Sequence, residues 1–180
     1  MLTLIILIIF LLTVVGLVGL HFYSILFRGF APFISTRKRT IEKAIAAIDT
    51  DSLGLGSIKT VYELGCGRAL FLRAWRKKYP ETKLVGLDYH FFPYWLAKIN
   101  NRQKRNRVII LRKNFLKINL QEADLIYCYL NINTMKILKE KFLKECRPGT
   151  IIISLMFSLP DIKPTRMIRD GKAMLYFYKL

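Results

Sequence analysis

The strongest constraint on the fold is an uncharged N-terminal run: from Leu2 to Phe27 the sequence contains no Asp, Glu, Lys or Arg. As a helix rising about 1.5 Å per residue, this segment is roughly 39 Å long, which exceeds the ~30 Å hydrocarbon core of a bilayer. We therefore predict one transmembrane helix over residues 2–27. A cleaved signal peptide is the alternative, but no basic residue precedes the run and no small-residue cleavage site follows it.

Every Asp, Glu, Lys and Arg lies after this run, so the rest of the chain carries the whole net charge of +18, from 30 Lys and Arg against 12 Asp and Glu. Basic residues crowd the C-terminal flank of the run, at Arg28, Arg37, Lys38, Arg39 and Lys43. The positive-inside rule then predicts that residues after 28 face the cytoplasm, or the matrix if the membrane is mitochondrial.

Three cysteines, Cys66, Cys128 and Cys146, have no metal-ligand spacing and are too few for a disulfide framework. We therefore expect no metal site, and the cysteine usage suits a reducing compartment.

Residues after 35 alternate between helical periodicity and short apolar runs, which is typical of an α/β fold with a mostly parallel sheet. Asp170-Gly171, between two extended segments, predicts an antiparallel hairpin at the C-terminus. We predict a linker and an N-terminal helix over residues 28–57, followed by a cofactor-binding domain over residues 58–180.

The first helix of this part is expected to begin at a cap formed by Ser35 or Thr36. Its apolar stripe is Ile41, Ala44, Ile45 and Ile48. Later helices are predicted over 69–79, from Pro93 to about 101, and over about 135–146. The predicted strands are 58–64, 83–87, 108–111, 125–130, 150–157, 165–169 and 172–178.

The motif with the clearest chemistry is Glu63-Leu64-Gly65-Cys66-Gly67, at the turn from a buried strand into a helix. Glycines there let the main chain approach a ligand closely. A P-loop is excluded because no Gly-Lys-Ser/Thr follows, and the dinucleotide fingerprint is incomplete because Leu70 occupies its third glycine position. Glu63 suits a cationic amine, and Asp88 ends the next strand at the spacing of a ribose-binding carboxylate. Together they predict S-adenosylmethionine.

Further cofactor-binding candidates flank these strands. Asn114 and Phe115 follow the third strand and are candidates for hydrogen bonding to and packing on an adenine; ordinary turn chemistry and core packing are the alternative. Tyr89, next to Asp88, is included in the predicted cofactor site. Cys66 is included through its place in the loop, as a small turn residue rather than a nucleophile, because no histidine lies nearby in the sequence.

These residues resemble the class I, seven-β-strand methyltransferases, whose sheet is Rossmann-like. More narrowly, they resemble the membrane-anchored lysine methyltransferase family that includes the ATP synthase c-subunit and adenine nucleotide translocase lysine methyltransferases. The similarity runs from about residue 30 to 160. It is carried by the anchor, Pro32-Phe33-Ile34, Glu63 to Gly67, Val85 to Asp88, Asn114 to Lys117, and Phe157 to Pro160. The resemblance implies a cofactor site at the glycine loop and Asp88, closed by the segment before the first helix.

The sequence departs from the family pattern at four places. Ser35 replaces a second proline, Arg68-Ala69 replaces Asp-Gly, Tyr89-His90-Phe91 replaces Asn-Pro, and Asn114 replaces Asp. Glu63, Gly65, Gly67 and Asp88 remain, so the predicted cofactor is unaffected and the substrate is less constrained.

Methyl transfer from a sulfonium requires alignment and an unprotonated acceptor, with no obligatory general base. For a lysine acceptor, Tyr129 and Asn131 at the end of the fourth strand are the candidates for holding the amine; Tyr129 as an ordinary core aromatic is the alternative. The resemblance and the anchor together predict a lysine on a membrane protein as the substrate.

The stretch Arg102–Lys117 contains seven basic residues and no acidic one. Such a run is usually a solvated face, but beside a membrane anchor it also suits anionic lipid headgroups. An RNA substrate is an alternative that the tether and the lack of interleaved aromatic residues disfavour. A non-catalytic basic membrane scaffold with a degenerate methyltransferase fold is a further alternative.

Overall fold

The apolar N-terminal run forms helix α1 (Leu2–Phe27) in the computed structural model. The structure describes residues 1–27, 35–50, 58–102 and 108–180, and the chain divides into two compact units at Pro32 and Phe33. Within α1, Leu2–His21 has a mean hydropathy of 3.0 and none of it is buried. By length and composition this helix can cross a membrane, a criterion that an N-terminal signal sequence also meets.

The second unit alternates strands and helices as predicted. Its described helices are α2 (Lys38–Thr50), α3 (Leu70–Lys78), α4 (Phe91–Asn100) and α5 (Ile132–Glu145), and a 3₁₀ turn covers Phe115–Lys117. Its strands are β1 (Thr60–Leu64), β2 (Lys83–Leu87), β3 (Val108–Leu111), β4 (Leu125–Cys128), β5 (Ile151–Leu155), β6 (Arg166–Asp170) and β7 (Ala173–Lys179).

The seven strands form one sheet in the order β3-β2-β1-β4-β5-β7-β6. The first five strands are parallel, and β7 pairs antiparallel with both β5 and β6. Strands β1, β4 and β5 are buried along their whole length, as continuous apolar runs in a sheet covered on both faces should be. The predicted Rossmann-like sheet with a C-terminal antiparallel hairpin is confirmed.

Two hydrophobic clusters lie on opposite faces of the sheet. One contains the predicted stripe of α2 together with Phe71, Leu72 and Trp75 of α3. The other contains Met135, Leu138 and Phe142 of α5. The register aligns Leu64 with Leu87 on one side and with Cys128 on the other, so β1, β2 and β4 end at one edge of the sheet. That edge is where parallel α/β sheets bind ligands.

The start of α2 differs from the prediction. Helix α2 begins at Lys38, and the carbonyl of Arg37 accepts from the N–H groups of Thr40 and Ile41. Thr36 does not cap it; instead its hydroxyl lies 3.4 Å from the Tyr127 hydroxyl. The motif at residues 32–34 and residues 51–57, the end of the predicted N-terminal region, lie outside the described residues.

Other boundaries differ by two or three residues. Strand β1 begins at Thr60 rather than 58, β5 ends at Leu155 rather than 157, and α5 begins at Ile132 rather than about 135. Helix α4 begins at Phe91 rather than Pro93, because the first-turn N–H groups of a helix have no internal partner and a proline is accepted there. Strand β4 ends at Cys128 rather than Leu130, where the chain turns to start α5.

Candidate active site

The loop between β1 and α3 has alternating left-handed backbone. Gly65, Gly67 and Ala69 have φ values of 69°, 51° and 53°. A Cβ at Gly65 would lie 2.9 Å from Leu130 Cδ2, closer than real side chains approach. The glycine is therefore required both by conformation and by the packing of Leu130, which follows β4.

Cys66 holds this loop against β2. Its N–H donates to the carbonyl of Leu87 at 2.9 Å, and a Cβ at Gly86 would lie 3.0 Å from its Sγ. Burial raises the pKa of the Cys66 thiol well above its usual value. The side chain is therefore a packing group, as the sequence predicts. Gly86 was missed in the sequence analysis, although a glycine inside a strand signals close backbone approach.

Asp88 ties the end of β2 to the same loop. Its Oδ2 accepts from the N–H of Gly67 at 2.9 Å, and its Oδ1 accepts from the N–H of His90 at 3.0 Å. The carboxyl group is buried, and burial raises its pKa despite these two bonds.

Glu63, on β1, lies beneath the start of α3. Its Oε2 accepts from the N–H of Leu72 at 3.3 Å, at the helix end where main-chain N–H groups favour a negative charge. Burial nonetheless raises the pKa of Glu63 to about 8, and the nearby Asp88 adds to the shift. The site thus contains two buried carboxyl groups, and a cationic ligand would favour the ionised form of both. That donor set fits the predicted sulfonium cofactor.

The segments after β2 and β3 meet beside these acids. Tyr89 and Asn114 line a cleft of about 400 Å³, together with Arg112, Lys113, Lys117 and Ile118. Asn114 Oδ1 accepts from the N–H of Leu116 at 2.9 Å, and half-buried Phe115 packs against the core. Asn114 and Phe115 therefore show the turn chemistry and core packing that were the alternative to cofactor binding. Tyr89 and Asn114 line the same cleft.

Tyr129 and Asn131 flank Leu130, the residue that packs on Gly65, and so lie at the same edge as the loop. Tyr129 is half-buried against the core. Asn131 Oδ1 accepts from the N–H of Thr134 at 2.9 Å and from its hydroxyl at 2.8 Å. Asn131 therefore caps α5, a role that its position before a helix makes ordinary.

Known structures share this architecture. An RNA methyltransferase from Salinibacter ruber, crystallised with S-adenosylhomocysteine, is 18% identical with a TM-score of 0.72, over 81% of this chain and 93% of that one. A ribosomal protein L11 methylase from Lactobacillus delbrueckii subsp. bulgaricus is 16% identical with a TM-score of 0.62, over 78% of each chain. At these identities the likeness shows the fold.

The relatives identified by sequence point to a narrower family than the shared fold does. A protein-lysine N-methyltransferase of Saccharolobus islandicus (strain REY15A) is 27% identical over 146 residues, which are 78% of this chain and 86% of the relative. The family described as the ANTKMT methyltransferase domain matches residues 63–166, more than half of the chain and the whole stretch from Glu63 through the candidate site. The chain therefore belongs to the ANTKMT methyltransferase domain family.

Proposed function

We propose that this methyltransferase is a protein-lysine N-methyltransferase that uses S-adenosylmethionine and acts on a membrane protein. The observation that carries the proposal for lysine is the alignment with the Saccharolobus islandicus protein-lysine N-methyltransferase, which spans most of both chains. Family membership supports the same chemistry and an enzyme rather than a non-catalytic scaffold. Helix α1, uncharged over 26 residues, supports a substrate in the membrane.

S-adenosylmethionine supplies a methyl group on a sulfonium that is already activated for displacement. Glu63 and Asp88 would hold the cationic and ribose parts of the cofactor, and Gly65 and Gly67 would admit its main-chain contacts. Cys66 contributes only its backbone, because its thiol is buried against β2.

The adenine end would enter the cleft shared by Tyr89 and Asn114. Phe115 is a weaker candidate for adenine packing, because it already packs against the core.

For the acceptor amine, the described contacts favour Tyr129 over Asn131. Both acceptor positions on Asn131 Oδ1 are used by Thr134, so accepting a lysine N–H there would break a cap bond. A half-buried site beside Tyr129 would lower the pKa of a lysine and leave it unprotonated. Replacing Tyr129 with Phe should lower kcat more than it changes cofactor affinity, whereas Asn131→Ala should chiefly destabilise α5.

The proposed topology places residues after 28 on the cytoplasmic or matrix side, because the basic flank follows α1. The ten residues between Phe27 and Lys38 span at most ~35 Å when extended. This tether would raise the effective concentration of membrane substrates and of anionic headgroups, but not of soluble substrates. Protease added to sealed right-side-out cells or mitoplasts should leave the domain intact, and digestion there would reverse the topology.

The substrate class is tested by labelling membranes with the full chain and methyl-labelled cofactor. We expect the label to be released by protease, to resist ribonuclease, and to be recovered as methylated lysine. Label released by ribonuclease would support an RNA methyltransferase instead.

A variant lacking residues 1–27 should keep its cofactor affinity, which reports its folding, and lose most methylation of native membranes. Equal methylation of soluble protein by this variant would overturn the proposal that the anchor selects the substrate.

A further inference from the structure

Helix α4 exposes its large aromatic side chains to solvent. Phe91, Phe92 and Trp95 are 61%, 59% and 46% exposed, and Tyr89, just before the helix, is 58% exposed. We call these four residues the aromatic surface. The fully buried residue of α4 is Ala97. Contiguous exposed aromatic groups of this size mark a surface that contacts something other than water.

The surroundings of the aromatic surface are basic. Among the described residues from Tyr89 to Leu120, which leave out 103–107, there is no Asp or Glu, and five are Lys or Arg: Lys98, Arg102, Arg112, Lys113 and Lys117. The guanidinium of Arg112 lies 5.5 Å from the centre of the Phe91 ring, and its Nε donates to the carbonyl of Tyr89. Arg112 also lines the cleft beside Tyr89, with Lys113 and Lys117. The cleft thus presents three cations directly next to exposed rings.

We infer that the aromatic surface inserts into the headgroup region of an anionic bilayer, with the exposed cations Arg112, Lys113 and Lys117 on lipid phosphates. Tyr and Trp rings are apolar bodies with a polar tip, which suits the membrane interface, and Lys and Arg are attracted to anionic headgroups. The inference rests on the proposed membrane location of this enzyme and adds a second contact besides α1. Because Tyr89 follows Asp88, this contact would hold the cofactor edge of the sheet at the bilayer surface.

A nucleic-acid platform is the principal alternative, since bases stack on exposed rings beside cations. Stacking requires free ring faces. Here Phe92 and Trp95 lie against each other, with centroids 6.4 Å apart and planes 26° apart, and Arg112 covers one face of Phe91. Phe91, Phe92 and Trp95 therefore each have one face already in contact, and together they form a joint apolar surface, which favours insertion among lipids.

The two tryptophans of the chain provide the test. Trp75 is fully buried and Trp95 is exposed, and α1 contains no tryptophan. The full chain is reconstituted in phosphatidylcholine vesicles with and without phosphatidylserine, with acyl chains brominated near the headgroup in both leaflets. Insertion of α1 is checked separately by resistance to carbonate extraction, and methylation of native membranes is measured with the same protein preparations.

We expect the brominated lipids to quench the unchanged protein in anionic vesicles, to quench it less in neutral ones, and to leave Trp95→Phe, which retains Trp75, unquenched. Arg112→Glu with Lys113→Glu should reduce the quenching. The matched control is Lys144→Glu with Lys172→Glu, the same charge change at exposed positions on α5 and in the hairpin turn, which should preserve it.

Equal fractional quenching of the unchanged protein and Trp95→Phe by the brominated lipids, with α1 inserted and methylation intact, would overturn this inference and leave the proposed function standing. A change in Trp95 emission on addition of single-stranded RNA, without quenching by the brominated lipids, would overturn it in favour of nucleic acid. If Phe92→Ala with Trp95→Ala lowered methylation of a detergent-solubilised substrate as much as in vesicles, the surface would dock protein instead. Absence of methylation by the unchanged protein would count against the proposed function.

Discussion

The N–H of Gly67 donates to Asp88 Oδ2 at 2.9 Å, joining two residues that are 21 positions apart in the sequence. The bond fixes the glycine loop after β1 against the end of β2. Asp88 is also held by the N–H of His90, so its orientation is set before any ligand binds. A carboxylate fixed in this way would meet a cofactor without losing side-chain entropy on binding.

Gly65→Ala should weaken cofactor binding by about tenfold or more. The added Cβ would meet Leu130 Cδ2 at 2.9 Å in a backbone at φ 69°, and the loop would have to move. Gly65→Val should abolish binding. The measurement is equilibrium binding of S-adenosylmethionine to folded protein. Gly171→Ala is the control, since Gly171 has a similar φ of 64° in open space, and it should lose stability without losing affinity. Unchanged affinity in Gly65→Val would refute the site.

Ala69→Gly should change the free energy of unfolding by less than about 1 kcal/mol. The left-handed backbone at Ala69 costs an alanine roughly 1–2 kcal/mol relative to glycine. Against this, glycine removes a fully buried methyl worth about 0.8 kcal/mol and gains freedom in the unfolded chain worth about 0.4–1 kcal/mol. Urea unfolding of the unchanged protein and of Ala69→Gly measures this difference in the free energy of unfolding.

Ala97→Gly is the control for this substitution. Ala97 is equally buried but has a helical backbone, so glycine there relieves no left-handed strain. The substitution should lower the free energy of unfolding by about 2 kcal/mol, from the lower helix propensity of glycine and the lost methyl group. A loss of that size at Ala69 would show that its conformation is unstrained.

Local sequence patterns predicted the elements and the glycine loop because their signals lie within a few residues. The Glu63–Gly67 loop can be recognised from the buried strand before it and the helix after it. The Asp170-Gly171 turn can be recognised from the two extended segments that flank it. The packing partners of Gly86 and Leu130 could not be predicted in this way, because they come from other elements that are distant in the sequence.

Other features depend on competition between a local and a distant partner. Thr36 is a good helix cap, yet its hydroxyl lies near Tyr127, on a strand 91 residues away. The sequence predicts a helix near Pro93 but not its orientation. Phe91, Phe92 and Trp95 are exposed, because only the tertiary structure decides which side of a helix is covered. The residue roles in the candidate site stay predictions for the same reason: the ligand that defines them is a separate molecule.

Asp170→Asn should lower stability at neutral pH. Asp170 accepts from Lys43 Nζ at 2.7 Å and from the Thr40 hydroxyl at 2.8 Å, which links the hairpin to α2. Lys43 and Thr40 hold the pKa of this carboxyl below its usual value, so its contribution is present above about pH 4 and is lost as pH falls through the lowered pKa.

Asparagine keeps the turn preference but removes the charge and one of the two acceptor oxygens. Urea midpoints should therefore differ between the two proteins at pH 7 and converge in acid. Asp161→Asn is the control, because Asp161 is an exposed partner of Lys139, and it should hardly change the urea midpoint. A difference that persisted unchanged into acid would rule out the charge as its cause.

Glu63→Gln should stabilise the ligand-free protein at alkaline pH. The pKa of Glu63 is about 8 in the folded protein, well above the ordinary 4.5 expected in the unfolded chain. Between these values the folded state binds the extra proton, so stability falls as pH rises from about 4.5 to 8 and is constant above. Glutamine does not titrate, so its advantage should grow across that window and vanish in acid. Glu140→Gln, an exposed carboxyl on α5, is the control.

The same substitution should weaken cofactor binding while it stabilises the protein. A cationic ligand favours ionised Glu63, so binding below pH 8 must release a proton, and affinity should fall by up to about tenfold per pH unit of acidification. Calorimetry in buffers of different ionisation enthalpy counts that proton, and titrations between about pH 6 and 9 give the slope. Glu63→Gln should bind weakly, with no proton release and a flatter profile. If the unchanged protein bound S-adenosylmethionine with the same affinity across this range, Glu63 would not face the cation, and its carboxyl would serve only the start of α3.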